Sequence, residues 1–144
     1  MAKILIIEDQ EPLRNLYRSV LRQLNHETVF VTTGEAGIET ALREHPDLII
    51  LDLLLPGMTG AEVAQRLREL GVLPNVPLII TTALSEVDAH SIAQSLNAAA
   101  VLNKPFSLDS IFHSINSALN AVSLKALSSK PAYLCLCKIV HAYT

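Results

Sequence analysis

Cysteine is scarce in this sequence, and long hydrophobic runs are absent from it. The chain contains two cysteines, Cys135 and Cys137, whose spacing neither crosslinks distant segments nor forms the C-x-x-C motif of redox and zinc sites. No apolar stretch reaches the roughly 18 uncharged residues that a membrane span needs, and the first apolar run has only the length of a strand. We therefore expect a cytoplasmic protein with neither a disulfide framework nor a membrane partner.

Basic charge and tryptophan are scarce as well. The 11 lysines and arginines are outnumbered by 14 aspartates and glutamates, and the formal net charge of -3 provides no basic footprint for a phosphate backbone. We expect no direct binding to nucleic acid. Tryptophan is absent, yet half of the 144 residues are hydrophobic, which suffices for one domain with a single substantial core.

Strand-like and helix-like segments alternate along the chain. Short runs of aliphatic and β-branched residues occur at 3–8, 28–32, 48–52, 77–82 and 100–103. Between and after these runs, apolar residues recur with helical spacing. Five alternations of strand and helix predict a parallel sheet covered by helices on both faces. The predicted fold class is therefore α/β, with a doubly wound sheet.

Polar side chains stand where the predicted strands end. They are Glu8, Asp9, Asp52, Thr81, Thr82 and Lys104. In open α/β sheets, ligands bind beyond the carboxyl ends of the strands. Three acids brought together there would repel, and a divalent cation with oxygen ligands is the simplest compensation. Each residue taken singly has an ordinary explanation in a loop, a strand or a surface, but the combination predicts a Mg²⁺ site.

An aspartate beside Mg²⁺ is suited to phosphoryl chemistry. Asp52 could attack a phosphoryl group and form an aspartyl phosphate. The charge of the transferring group then needs the metal, a cation such as Lys104 and a hydroxyl donor such as Thr82. The sequence supplies a candidate for each of these roles.

Four sequence motifs together resemble a known protein family. They are KILIIED, LIILDLLLPGMTG, PLIITTAL and VLNKPF. In this order and spacing, the chain resembles the receiver domain of two-component response regulators over about residues 2–122. The resemblance implies a five-stranded sheet in the order 2-1-3-4-5, in a flavodoxin-like (CheY-like) three-layer sandwich.

The resemblance also implies a role for each acid at the strand ends. Asp52 corresponds to the residue that accepts the phosphoryl group. Glu8, Asp9 and Asp52 correspond to the Mg²⁺ ligands, with Asp9 the more direct ligand of the first two. The backbone carbonyl of Leu54 corresponds to a further protein ligand of the metal.

The remaining site residues follow from the last two motifs. Thr82 matches the hydroxyl that turns toward the phosphoryl group, and Lys104 matches the lysine that pairs with a phosphoryl oxygen. The Lys104–Pro105 peptide bond is expected to be cis, which would direct the ammonium into the pocket. Thr81 is expected to be a strand residue only.

The sequence departs from the family pattern at several positions. Val101 stands where the family has its switch aromatic, so the coupled swing of a ring cannot operate as usual, and we expect relay through Thr82 and its loop. Leu55 replaces a common methionine of similar size, and Asn97 replaces a common glycine while tolerating the left-handed region. We expect little effect from the last two changes.

Two leucines stand where the family tunes access of water to the phosphoryl group. Leu54 and Leu84 lie two positions after Asp52 and Thr82, respectively. Two aliphatic side chains there would shield the acyl phosphate. We therefore expect slow loss of the phosphoryl group.

A receiver takes its phosphoryl group from a histidine kinase or a phosphotransfer protein. It is not an enzyme, apart from self-phosphorylation from a phosphodonor and autodephosphorylation. Phosphorylation is expected to shift a pre-existing equilibrium on the surface formed by helix 4, strand 5 and helix 5, where an unknown downstream protein or a second copy of the chain would bind.

Three other functions are compatible with parts of the sequence. The chain could be a receiver fragment of a longer regulator. A metal-dependent α/β phosphatase of the haloacid dehalogenase kind would need an acid at position 54, which is leucine. A flavodoxin-like carrier would need a phosphate-binding loop after the first strand, and none follows it.

The end of the chain falls outside the resemblance. We expect a receiver domain at 1–122, and a helix extension with an apolar tail at 123–144 but no output domain. The run YLCLCKIV at 133–140 has strand character and is expected to dock, either on its own chain or across a dimer. Cys135, Cys137 and His141 would make a poor tetrahedral metal site.

Overall fold

The computed structural model describes residues 2–128, in which five strands and five helices alternate. The strands are β1 (Lys3–Ile7), β2 (Glu27–Val31), β3 (Leu48–Asp52), β4 (Leu78–Thr82) and β5 (Ala100–Asn103). The helices are α1 (Glu11–Gln23), α2 (Gly34–Glu44), α3 (Gly60–Glu69), α4 (Glu86–Ser95) and α5 (Leu108–Ser128). The predicted bounds of β3 and β5 are those of the structure, and the other three strands differ by one residue at one or both ends.

All strand pairs are parallel, and the sheet has the order β2-β1-β3-β4-β5. The expected order 2-1-3-4-5 is therefore confirmed. The central strands are buried on both faces. Every residue of β3 and β4 is buried, which explains why both strands begin with apolar residues without alternation, before their polar ends.

Side-chain alternation divides the core into two layers. Leu5 and Ile49 pack on one face of the sheet with residues of α2, α3 and α4. Ile4 and Ile50 pack on the opposite face with residues of α1 and α5. We call these the α2–α4 face and the α1–α5 face. Successive residues of a strand point to opposite faces, so the last residue of each strand has a predictable side.

Helix α3 begins immediately beyond the loop that follows β3. The Thr59 side chain caps it by accepting a hydrogen bond from the backbone N–H of Glu62. Gly60, the first helical residue, lies so close to the end of β3 that a Cβ atom placed on it would be 2.5 Å from the backbone oxygen of Asp52. Only glycine allows this approach, which fixes the path of the loop after Asp52.

Helix α5 continues through Ser128, beyond the end of the resemblance at 122. The predicted strand at 133–140 and the residues Cys135, Cys137 and His141 lie outside the described residues, and the docking of this tail stays a prediction. Within residues 2–128, every helix is too short or too polar to cross a bilayer.

Candidate functional site

Two buried acids meet at the carboxyl edge of the sheet. Glu8 follows β1 and Asp52 ends the adjacent β3; they are 1% and 2% exposed. Alternation along the strands places both side chains on the α1–α5 face. Carboxylates this deeply buried require compensating charge or protons.

Lys104 supplies part of this compensation. Its Nζ atom lies 2.8 Å from Oδ2 of Asp52 and 3.4 Å from Oε2 of Glu8. The lysine follows β5, and the Lys104–Pro105 peptide bond is cis. The backbone N–H of Lys104 also donates to the carbonyl of Thr82 at 2.7 Å, so the segment after β5 is tied to the end of β4.

Asp9 completes a cluster of three carboxylates. Glu8, Asp9 and Asp52 each offer one oxygen atom, and these atoms all lie within 4.8 Å of one another. Asp9 is exposed, so the cluster opens to solvent on its side. One lysine leaves this group with net negative charge.

The cluster fits a hard divalent cation. Its potential ligand atoms are all oxygen, and oxygen ligands bind Mg²⁺ in preference to soft metal ions. Oε2 of Glu8 is buried and has no hydrogen-bond partner among the described residues, although Lys104 lies near it. A buried carboxylate oxygen without a hydrogen-bond partner is expected at a site that binds a cation.

The pKa of Glu8 reflects this crowding. Burial raises the pKa of its carboxyl from an ordinary 4.5 to about 7, and the negative charge of Asp52 acts in the same direction. The hydrogen bond from the backbone N–H of Gln10 and the charge of Lys104 oppose the rise. Near neutral pH, the metal-free site therefore holds a proton on Glu8 for part of the time.

The other oxygen of Asp52 and the hydroxyl of Thr82 are held by the loops that follow them. Oδ1 of Asp52 accepts from the backbone N–H of Leu54, and Oγ1 of Thr82 accepts from the backbone N–H of Leu84, both at 3.1 Å. Leu54 and Leu84 are 62% and 37% exposed, so two aliphatic side chains stand in solvent next to the site. The role of the Leu54 carbonyl stays a prediction.

Val101 stands where the family resemblance predicts a switch aromatic. It is partly buried and packs against the core of the α2–α4 face. It lines an open groove between α4 and β5 with a volume of about 710 Å³, together with residues that include Glu86, His90 and Asn103. A short side chain at this position leaves the groove open.

Sequence reasoning missed a buried hydroxyl pair behind the acids. Tyr17 and Thr81 are fully buried, and neither hydroxyl has a hydrogen-bond partner within the part of the chain that the structure describes. Burial raises the pKa of Tyr17, and the charge of Glu8 adds to the effect. A tyrosine at a core position of α1 and the doubled threonine of β4 were the available signals.

Sequence reasoning also missed a contact between β5 and the loop after β4. The side-chain amide of Asn103 donates to the backbone oxygen of Leu84 at 3.1 Å. Asn103 ends β5 and Lys104 directly follows it, so two consecutive residues reach the Leu84 loop and Asp52, respectively. Asn103 lies within the VLNKPF motif, but the resemblance assigned no role to it.

Comparison with protein families gives a match over most of the chain. Residues 4–116 match the model of the response regulator receiver domain. Among curated relatives, sporulation initiation phosphotransferase F of Bacillus subtilis is 34% identical over 109 residues, which cover 76% of this chain and 86% of that protein. The regulatory protein LuxO of Vibrio cholerae is 36% identical over 118 residues, or 82% of this chain and 26% of that protein.

A solved structure has the same fold. The signal receiver domain of a LuxO repressor protein from Vibrio parahaemolyticus superposes with a TM-score of 0.81 at 30% identity, covering 90% of this chain and 98% of that one. This chain spans about half the length of several other curated relatives, in which further sequence accompanies the matching part.

Proposed function

This chain belongs to the family of response regulator receiver domains, which are non-enzymatic signalling domains of two-component systems. We propose that it accepts a phosphoryl group on Asp52 and signals through a change in partner binding. The observation that carries the proposal is the partly buried contact of 2.8 Å between Lys104 and Asp52, with the Glu8 carboxylate beside it. This contact places the candidate nucleophile, Asp52, in the same pocket as Lys104, the cation that would stabilise the phosphorylated product.

The phosphodonor is a phosphohistidine of a histidine kinase or a phosphotransfer protein. An oxygen atom of Asp52 attacks the phosphorus; the new O–P bond forms as the N–P bond breaks, and the imidazole leaves and takes a proton from solvent. Mg²⁺, when bound, supplies positive charge that offsets the phosphoryl oxygens. Glu8, Asp9, Asp52 and the Leu54 carbonyl would hold it.

The chain's own residues then stabilise the product. The Lys104 ammonium moves its contact from the carboxylate of Asp52 to a phosphoryl oxygen, which the short starting distance favours. The Thr82 hydroxyl, which accepts from the Leu84 N–H in the structure, turns to donate to another phosphoryl oxygen. Both contacts are charge-assisted hydrogen bonds and therefore stronger than neutral ones.

Loss of the phosphoryl group to water is slow in this proposal. Leu54 and Leu84 extend into solvent beside the site, where they restrict the approach of a water molecule to the phosphorus. The added charge meanwhile shifts the equilibrium of the surface formed by α4, β5 and α5. A downstream protein, or a second copy of this chain, would recognise the shifted state.

Intact mass spectrometry tests the proposal. The protein is incubated with acetyl phosphate, with and without Mg²⁺, beside Asp52→Asn and the control Asp109→Asn, which changes an exposed aspartate of α5. We expect a single Mg²⁺-dependent phosphoryl adduct in the wild type and in Asp109→Asn, but none in Asp52→Asn. An adduct that persists in Asp52→Asn, or its absence from the wild type, would overturn the assignment.

A further inference from the structure

We propose that Asn103 is a positioning residue that couples the hydroxyl of Thr82 to the groove between α4 and β5. The inference rests on the proposed function, in which that hydroxyl changes partner on phosphorylation. It concerns a residue outside the phosphoryl pocket and a contact that belongs to this chain's own sequence.

The contact begins with the register of the sheet. Thr82 and Asn103 are paired across β4 and β5. Paired residues of parallel strands point to the same face, and alternation from Ile80, a core residue of the α2–α4 face, places both side chains on that face. Thr82 and Asn103 are therefore side-by-side neighbours beneath the loop that leads into α4.

Both side chains bind the same residue of that loop. The backbone N–H of Leu84 donates to Oγ1 of Thr82 at 3.1 Å, and the backbone oxygen of Leu84 accepts from Nδ2 of Asn103 at 3.1 Å. The two polar backbone groups of Leu84 are thus each held by a side chain from a different strand. The position of Leu84 depends on both contacts.

Rotation of the Thr82 hydroxyl breaks this arrangement. Thr82 is fully buried, and its Oγ1 atom accepts from the Leu84 N–H in the structure. In the proposed function the side chain turns toward a phosphoryl group above Asp52, and this rotation carries Oγ1 away from that N–H. Once that N–H loses its acceptor, the backbone of Leu84 is held by Asn103 alone. The loop then moves, and the amide of Asn103 is released from the Leu84 oxygen.

The released amide lies on the wall of the groove. Asn103 lines it together with Val101, Glu86 and His90. Because Val101 is too short to fill the groove, the Asn103 amide provides a polar route by which a change at Thr82 reaches this surface. Lys104, the next residue, points toward Asp52 instead, so the phosphoryl chemistry does not use Asn103.

Hydrogen exchange measured by mass spectrometry tests the coupling. The backbone amides at 83–90 are followed in the wild type, Asn103→Ala, Asn103→Asp and Gln94→Ala, before and after treatment with acetyl phosphate and Mg²⁺. Asn103→Asp has nearly the same shape as the wild type but lacks the N–H donor. Gln94 lines the same groove from α4 and serves as the matched control. Exchange at 12–23, in α1, reports general destabilisation.

We expect phosphorylation to speed exchange at 83–90 in the wild type and in Gln94→Ala. In both Asn103 variants, exchange at 83–90 should already be about fivefold faster without phosphate, the effect of one lost hydrogen bond, while exchange at 12–23 is unchanged. The difference made by phosphorylation should then largely disappear, although the phosphoryl adduct still forms.

Two results would overturn the coupling alone. They are an adduct in the wild type with unchanged exchange at 83–90, and Asn103 variants that keep the wild-type protection and the full response to phosphorylation. Absence of the adduct from the wild type would instead overturn the proposed function, and the coupling with it. The intact masses of the same samples distinguish these cases.

Discussion

The ammonium of Lys104 lies 2.8 Å from Oδ2 of Asp52, although 52 positions separate the two residues and β4 lies between their strands. The contact bridges the carboxyl edge of the sheet from β3 to β5. It brings a cation to two buried acids, because Glu8 lies within 3.4 Å of the same ammonium. The electrostatic balance of the site therefore depends on one lysine.

Replacing this lysine should destabilise the metal-free protein. Lys104→Met keeps much of the side-chain volume but leaves two buried carboxylates without their cation, which should lower the free energy of unfolding by about 3 kcal/mol at pH 8. At pH 5, where Glu8 can hold a proton, the loss should be smaller. Urea unfolding at both pH values measures this.

Lys3→Met is the matched control for that experiment. Lys3 pairs with Glu44 at 3.0 Å near the other end of the sheet, where its side chain is more accessible to water. We expect little change in stability and no dependence on the charge state of Glu8. A loss in Lys104→Met that matches Lys3→Met, or is equal at both pH values, would contradict the account of the buried acids.

Glu8 should give the metal-free protein a characteristic pH dependence. Its pKa of about 7 in the folded state exceeds its ordinary value of 4.5, so the folded state binds the proton more tightly than the unfolded state does. The resulting stability is fully present below about pH 4.5 and is lost as the pH rises through about 7. Its size is up to roughly 3 kcal/mol.

Glu8→Gln should remove this contribution, which is read as the difference between the two unfolding curves across pH 4.5 to 8. Because Mg²⁺ binding requires the ionised carboxylate, the affinity for Mg²⁺, measured by calorimetry, should rise over the same interval in the wild type. Parallel pH profiles of the variant and the wild type would disprove the assignment of the pKa to Glu8.

The two exposed leucines should control the lifetime of the phosphoprotein. Leu54→Gln combined with Leu84→Gln would replace aliphatic groups beside Asp52 with groups that bind water, so the adduct should decay faster. Decay is followed by intact mass after removal of the phosphodonor. Leu42→Gln changes an exposed leucine of α2 and should leave the lifetime unchanged. A double variant that decays at the wild-type rate would eliminate the shielding role.

Gly60 should be required both for stability and for phosphorylation. A Cβ atom there would lie 2.5 Å from the backbone oxygen of Asp52, and backbone cannot give way as a side chain can. Gly60→Ala should therefore cost roughly 1–3 kcal/mol of folding free energy and slow formation of the adduct. Thermal unfolding and the rate of the mass increase report the two effects.

Gly37→Ala provides a comparison with a similar steric conflict elsewhere. Its Cβ atom would collide with the side chain of Ile7, in the packing of α2 on the sheet. We expect it to lower stability while the folded fraction accepts phosphate at the normal rate. If both glycine variants affect phosphorylation equally, the specific constraint at Asp52 would be excluded.

The fold could be predicted because burial leaves a regular trace in the sequence. The first four residues of the LIILD run are apolar without alternation because β3 is covered on both faces, and the bounds predicted for it are those observed. The acids at the ends of β1 and β3 could be placed together because parallel strands end at one edge. Lys104 could be placed at the same edge because it follows the fifth strand, whereas its pairing with a phosphoryl oxygen came from the family resemblance.

Periodicity indicates which face a residue occupies, but not which atoms form hydrogen bonds. The contact of Asn103 with the Leu84 carbonyl depends on the path of a loop, which no pattern of apolar residues specifies. The Tyr17 hydroxyl is similar. Helical spacing indicates that one side of α1 faces the core, whereas the absence of a hydrogen-bond partner for this hydroxyl within residues 2–128 depends on the side chains of other elements.

The opposite orientations of Asp52 and Thr82 have a consequence for how such a protein can diversify. Asp52 faces one helical layer, with Glu8 and Lys104, while Thr82 and Asn103 face the other. In the proposed function Thr82 reaches the phosphoryl group from the α2–α4 face, so it joins the acceptor on one face to the groove that Asn103 lines on the other. Duplicated copies could acquire new partners through changes in one layer and still keep an unaltered acceptor, which allows parallel signalling routes to become insulated from each other.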